Sequence, residues 1–155
     1  MFNTIFGLPM HPLVVHATVV VVPTAAVCVA LSALWPRFRA WANYLPLGLS
    51  LLALILVPVS TSSGESLEHN LPHTALIERH ADLAEGLLVW VIVVAVAAAL
   101  MLAYDRFGQN DDKSPAPRWI ATGIIAISLV SSIGTGVQVG RIGHSGAQAA
   151  WTGVK

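Results

Sequence analysis

"HPLVVHATVVVVPTAAVCVALSALW" runs from His11 to Trp35 and decides the fold. From Leu13 to Trp35 it is apolar for long enough to cross the hydrocarbon core of a bilayer, which asks for about 20 residues of helix. Its two histidines, His11 and His16, stand at one edge, where an imidazole can still reach water or an unpaired backbone group. Pro36 closes the run. Pro23, inside it, is expected to kink the helix unless neighbours compensate.

Three more runs of this kind follow, about Tyr44–Ser60, Leu83–Tyr104 and Trp119–Gly140. The second is short, with Pro46 near its start and Pro58 near its end. The chain of 155 residues is 55% hydrophobic and 10% charged, with mean hydropathy +0.73. A soluble domain carries about 25% charged residues. The reading is therefore an all-α, four-helix transmembrane bundle, one integral membrane domain over residues 1–155, without an internal repeat. A net charge of zero gives nucleic acid no electrostatic footing. The single cysteine, Cys28, excludes an internal disulfide and a multi-cysteine metal or iron–sulfur site. Residues 1–10 hold no Lys or Arg, and the first run exceeds a signal core of about 7–15 residues, so it is expected to remain as a span.

Four spans place the first and third connections on one side. That side carries Arg37, Arg39, Arg106, Lys113 and Arg118, against Arg79, Arg141 and Lys155 on the other. The bias puts both termini outside the cytoplasm. Trp35, Trp41, Tyr44, Tyr104 and Trp119 then form an aromatic belt on the cytoplasmic side. All six histidines fall on the other side: His11 and His16, then His69, His73 and His80 in the second connection, then His144 after the fourth span.

The second connection, "TSSGESLEHNLPHTALIERHADLAEGL" (Thr61–Leu87), opens with Ser and Gly that read as a turn after helix two. Pro72 suits the first turn of a new, partly extramembrane helix. There His73, Ile77, His80, Ala84 and Leu87 share one stripe, and Glu78, Asp82 and Glu85 lie opposite on a solvated surface. In "SSIGTGVQVGRIGHSGAQAAW" (Ser131–Trp151), Ser132, Gly136, Gly140 and His144 recur every four residues on one face. Small residues at this spacing let membrane helices approach closely, or leave a groove for a flat ligand. "GHSG" reads as a turn that ends the helix and presents His144.

"HPLVVH" (His11–His16), "GESLEH" (Gly64–His69), "ERHADLAEG" (Glu78–Gly86) and "GHSGAQAAW" (Gly143–Trp151) together resemble one bacterial integral membrane family, domain of unknown function 2231. The likeness covers nearly the whole chain. It implies four spans in a bacterial inner membrane and no established activity; relatives joined to Rieske-type redox domains hint at electron transfer. The usual opening resembles HPxxVHFPI, and here Ala17 and Thr18 replace the Phe-Pro.

Three functions compete. The first is haem b held for electron transfer by imidazoles from facing helices. His16 and His80 form the best pair by depth and face, and His73 with His144 the next. His11, ahead of Pro12, is expected at the helix cap as support, with Gly136 and Gly140 lining the slot. The second is a zinc, copper or iron site drawn from His16, His80, His73, His144 and His69 with Glu65 or Glu68. The third is a cofactor-free structural subunit whose histidines only bond between helices. The expected partners are the lipid bilayer and a membrane or extracytoplasmic redox protein; a homo-oligomer is compatible with all three. The span centres hold no ionisable groups of the kind a transporter needs. No Walker, G-x-S-x-G or H-E-x-x-H motif occurs. The chain reads as a carrier or binding protein rather than a turnover enzyme.

Overall fold

The computed structural model describes residues 4–5, 8–68, 74–108 and 117–151. Thr4–Ile5 (β1) and Leu8–Pro9 (β2) make a minimal antiparallel pair ahead of the first helix. The other elements among the described residues are helices: α1 Met10–Leu34, α2 Pro36–Ala42, α3 Leu45–Glu68, α4 Ala75–Glu85, α5 Leu87–Ala103 and α6 Arg118–Trp151. Among the described residues four helical segments are long and apolar enough to cross a membrane: His11–Leu34, Leu45–Glu68, Ala75–Phe107 and Arg118–Trp151.

The spans start and stop where backbone chemistry dictates. Pro36 takes the first turn of α2, where its missing N–H costs nothing. Asn43, at φ 48, turns the chain into α3. Thr74 caps α4, its hydroxyl accepting from the Ile77 N–H. Tyr104–Gly108 widens into a π-helical turn at the end of α5.

Two expected turns are helix instead. The Ser62-Ser63-Gly64 stretch continues α3 to Glu68, so the second span is not short. Gly143-His144-Ser145-Gly146 lies within α6, which runs on to Trp151. The hydroxyls that usually favour turns bond back along their own helix: Ser63 Oγ donates to the Ser60 carbonyl at 2.9 Å, Ser66 Oγ to Ser62 at 3.1 Å, and Ser145 Oγ to Ile142 at 2.9 Å. Residues 69–73, with the expected Pro72 helix start, lie outside the described residues.

Each long helix packs on two neighbours. α1 lies against α3 and α6, and α5 against α6 and α3, so α1 and α5 meet across the diagonal. The core divides into layers along the bundle: Val22, Ala53, Val57, Leu87 and Val91; then Val29, Val94, Ala97 and Ala98; then Ala33, Met101 and Ile124.

Buried positions recur between the two helical hairpins at fixed shifts. A shift of 69 positions carries each buried residue of α5 (Leu87, Val91, Val94, Ala95, Ala97, Ala98, Met101) onto a buried residue of α1 (Thr18, Val22, Ala25, Ala26, Cys28, Val29, Ser32). The same shift carries Tyr104-Asp105-Arg106-Phe107 onto Trp35-Pro36-Arg37-Phe38, and His80 onto His11. A shift of 82 positions carries Ser128, Ser132, Thr135 and Ser145 of α6 onto Pro46, Ser50, Ala53 and Ser63 of α3, all buried. The second hairpin matches the first in this burial pattern, with its first span broken at Gly86 and a longer connection between its helices.

Candidate functional site

At the end of the bundle where α1 begins and α3 and α6 finish, two imidazoles are held in the same way. His11 Nδ1 lies 3.1 Å from Ser63 Oγ and 3.2 Å from the Ser60 carbonyl on α3. A carbonyl only accepts, so His11 carries its proton on Nδ1. His80 Nδ1 lies 3.0 Å from Ser145 Oγ on α6. Ser145 spends its own hydrogen on the Ile142 carbonyl, so here too the ring nitrogen donates. In the neutral ring the other nitrogen, Nε2, then keeps a bare lone pair. Among the described residues neither Nε2 has a hydrogen-bond partner.

The next residue on each partner helix is a glycine that makes room for the ring. A Cβ on Gly64 would meet His11 Cε1 at 3.0 Å, and a Cβ on Gly146 would meet His80 Cε1 at 3.0 Å. The serines are buried at 7% and 4% exposure, while both rings stay half-buried.

His16 lies elsewhere on α1: it is exposed, and its Nδ1–H donates to the Pro12 carbonyl one turn back. His144 is exposed. Gly136 and Gly140 face open space, with nothing within 4 Å of a built Cβ. The packing face of α6 is instead Ser128, Ser131, Ser132, Thr135, Gln138 and Ser145. Ser132 alone joins the expected small-residue face to it. The glycine that admits a neighbour closely is Gly134, where a Cβ would stand 2.1 Å from the Trp90 ring. On α4, Ile77, His80 and Ala84 are half-buried and Leu87 buried, with Glu78, Asp82 and Glu85 exposed, as the stripe predicts. Glu65 is exposed and Glu68 half-buried at the end of α3. His69 and His73 lie outside the described residues. Among the described residues no three His, Cys, Asp or Glu side chains come together as a metal site.

Sequence reasoning missed Ser63, Gly64, Ser145 and Gly146. The available signal was the Ser-Gly pair recurring near the ends of both second helices. It missed Gln138 as well, a buried amide whose Nε2 donates to the Leu83 carbonyl at 2.6 Å beside the Gly86 break between α4 and α5.

The opposite end is basic and ties the two hairpins together. Arg39 pairs with Asp105 at 3.2 Å, and Arg106 donates to Asn43 and to the Tyr44 hydroxyl while stacking over the Tyr44 ring. A cavity of about 430 Å³ opens there, lined by Val29, Ser32, Arg39, Met101 and Arg106 among others.

These features define a small multi-pass membrane protein of four helical spans with paired imidazoles at one end. The chain belongs to the family described as predicted membrane protein DUF2231, whose model matches residues 7–154. No curated protein and no solved structure matches it.

Proposed function

We propose that the chain is a one-electron carrier in which His11 and His80, one from each hairpin, would hold haem b. The observation that carries this reading is the pair of Nδ1-donating imidazoles, one from each hairpin, whose Nε2 lone pairs have no hydrogen-bond partner among the described residues. Haem ligands commonly have this form: one ring nitrogen is anchored by a hydrogen bond and the other is left to the metal.

The donor set favours haem over a bare ion. Haem iron takes two axial side chains, whereas zinc takes three or four protein ligands. Two imidazoles from opposite hairpins meet the first requirement. When bound, haem b supplies Fe(III)/Fe(II) exchange. The protein's part is to orient the rings, exclude lipid and present the site to a redox partner. Greater Lys and Arg content at the other end supports a histidine end facing away from the cytoplasm of a bacterial inner membrane.

The test is a reduced-minus-oxidised visible spectrum of the detergent-purified protein from haem-replete cells. The expected result is a Soret band with sharp α and β bands, lost in His11→Ala and in His80→Ala. A colourless protein with stoichiometric zinc, copper or iron would replace haem with the metal-site reading. A colourless, metal-free protein would leave a structural role.

A further inference from the structure

The two hairpins build the same device. In each, a histidine, at the start of α1 in the first and within α4 in the second, donates from Nδ1 to a serine near the end of the hairpin's last helix. In each, that serine donates to the carbonyl three residues back, at 2.9 Å in both cases. In each, the following glycine leaves the space the ring fills. Its Cβ would meet Cε1, Nδ1 and Nε2 at 3.0, 3.4 and 3.9 Å in the first hairpin, and at 3.0, 3.3 and 3.8 Å in the second. The shift of 82 positions that carries Ser145 onto Ser63 also carries Ile142 onto Ser60 and Gly146 onto Gly64. Two unrelated cappings of two interfacial histidines would have no reason to agree in donor, acceptor, relay carbonyl and cradle.

We infer that Ser63 and Ser145 are matched positioning residues, duplicated with the hairpin, that hold His11 and His80 as Nδ1–H tautomers so that one metal-centred ligand receives one Nε2 from each half. The inference rests on the His11–His80 reading above and adds the residues that enforce it and the class of ligand, a metal ion or metalloporphyrin with two positions open to imidazole. The physical cause is tautomer choice. A neutral imidazole has one proton for two nitrogens, and a serine whose own hydrogen is committed can only accept. Ser145 thereby places the His80 proton on the side away from the ligand, and Ser63 does the same for His11 together with the Ser60 carbonyl. Gly64 and Gly146 let each ring lie flat against its partner helix.

The test uses the full chain, labelled with ¹⁵N-histidine, purified without cofactor in detergent and held near pH 8, where imidazoles of ordinary pKa, about 6.5, are neutral. Ring-nitrogen spectra, assigned by loss of signal in His11→Ala and His80→Ala, are expected to show protonated Nδ1 and bare Nε2 for both residues. Hemin titration of the same preparation is expected to lose about 10- to 100-fold in affinity in Ser145→Ala, and less in Ser63→Ala, where the Ser60 carbonyl still accepts from His11 Nδ1. Ser63→Thr and Ser145→Thr, which keep the hydroxyl, are expected to restore it. Either histidine protonated on Nε2 in the wild-type protein overturns the inference. So does a Ser145→Ala variant that binds hemin as tightly as wild type. If wild type shows both tautomers but takes no hemin, the haem reading fails and this one stands. Zinc titrated into the same wild-type and alanine variants then supplies the affinity comparison.

Discussion

At the residue scale the site depends on which ring nitrogen carries a proton. His11 and His16 are five residues apart, which on a helix of 3.6 residues per turn separates them by about 140°. They cannot share a face, so α1 can offer the site only one of them. The structure turns His11 inward to Ser63 and leaves His16 exposed, bonded to its own helix. His16→Ala is therefore expected to leave any haem spectrum and the thermal midpoint within error of wild type, while His11→Ala abolishes the spectrum; loss of the bands in His16→Ala would move the ligand to that residue. That the histidines gather at one end is legible in the sequence, because it follows from counting spans. Which two meet is not, because it depends on the rotation of each helix about its axis.

At the scale of the element, α6 shows how little helix periodicity says inside lipid. An all-round apolar helix has no strong polar face to point outward. Either small-residue row, Ser132/Gly136/Gly140 or Ser128/Ser131/Thr135, could have been the contact. Packing chose the second, and placed Gly134 under the Trp90 ring of α5. Gly134→Ala is expected to destabilise by about 1–3 kcal/mol, the usual cost of forcing a methyl group into filled space. Gly136→Ala, whose Cβ meets nothing, is expected to be neutral or slightly stabilising. Thermal unfolding in detergent compares the two, and equal midpoints would contradict this packing. The Ser-Gly stretches teach the same lesson. Read locally they are turns, but the backbone keeps its helical hydrogen bonds and the hydroxyls join them by bonding back along the helix.

At the scale of the whole molecule, two hairpins of similar design pack side by side, with the imidazoles at one end and four of the six arginines at the other. Arg39–Asp105 and the Arg106 contacts to Asn43 and Tyr44 all cross between hairpins, joining the first connection to the third. If these connections face the cytoplasm, alkaline phosphatase fused after Lys155 is expected to be active and a green fluorescent protein fused there dark. A fluorescent, phosphatase-inactive pair would invert the orientation and put the histidine end inside. This recurrence escapes a sequence reading for a plain reason: in apolar spans Val, Ala and Leu interchange freely. Only His11/His80, the aromatic-x-Arg-Phe pair and the two Ser-Gly pairs mark it, and unequal connections change the shift between the first helices and the second.

The sequence by itself determined the class, the four spans, the gathering of histidines at one end and the arginine-rich connections at the other. These follow from hydrocarbon thickness and from the cost of carrying charge across it, which act on composition and count. Tertiary structure alone decided that His11 rather than His16 faces inward, that Ser63 and Ser145 receive the ring protons, and that Gly134 rather than Gly136 is the close contact. Each of these depends on how one helix turns against another. That rotation is set by packing among small and branched side chains whose apolar character is nearly the same on every face.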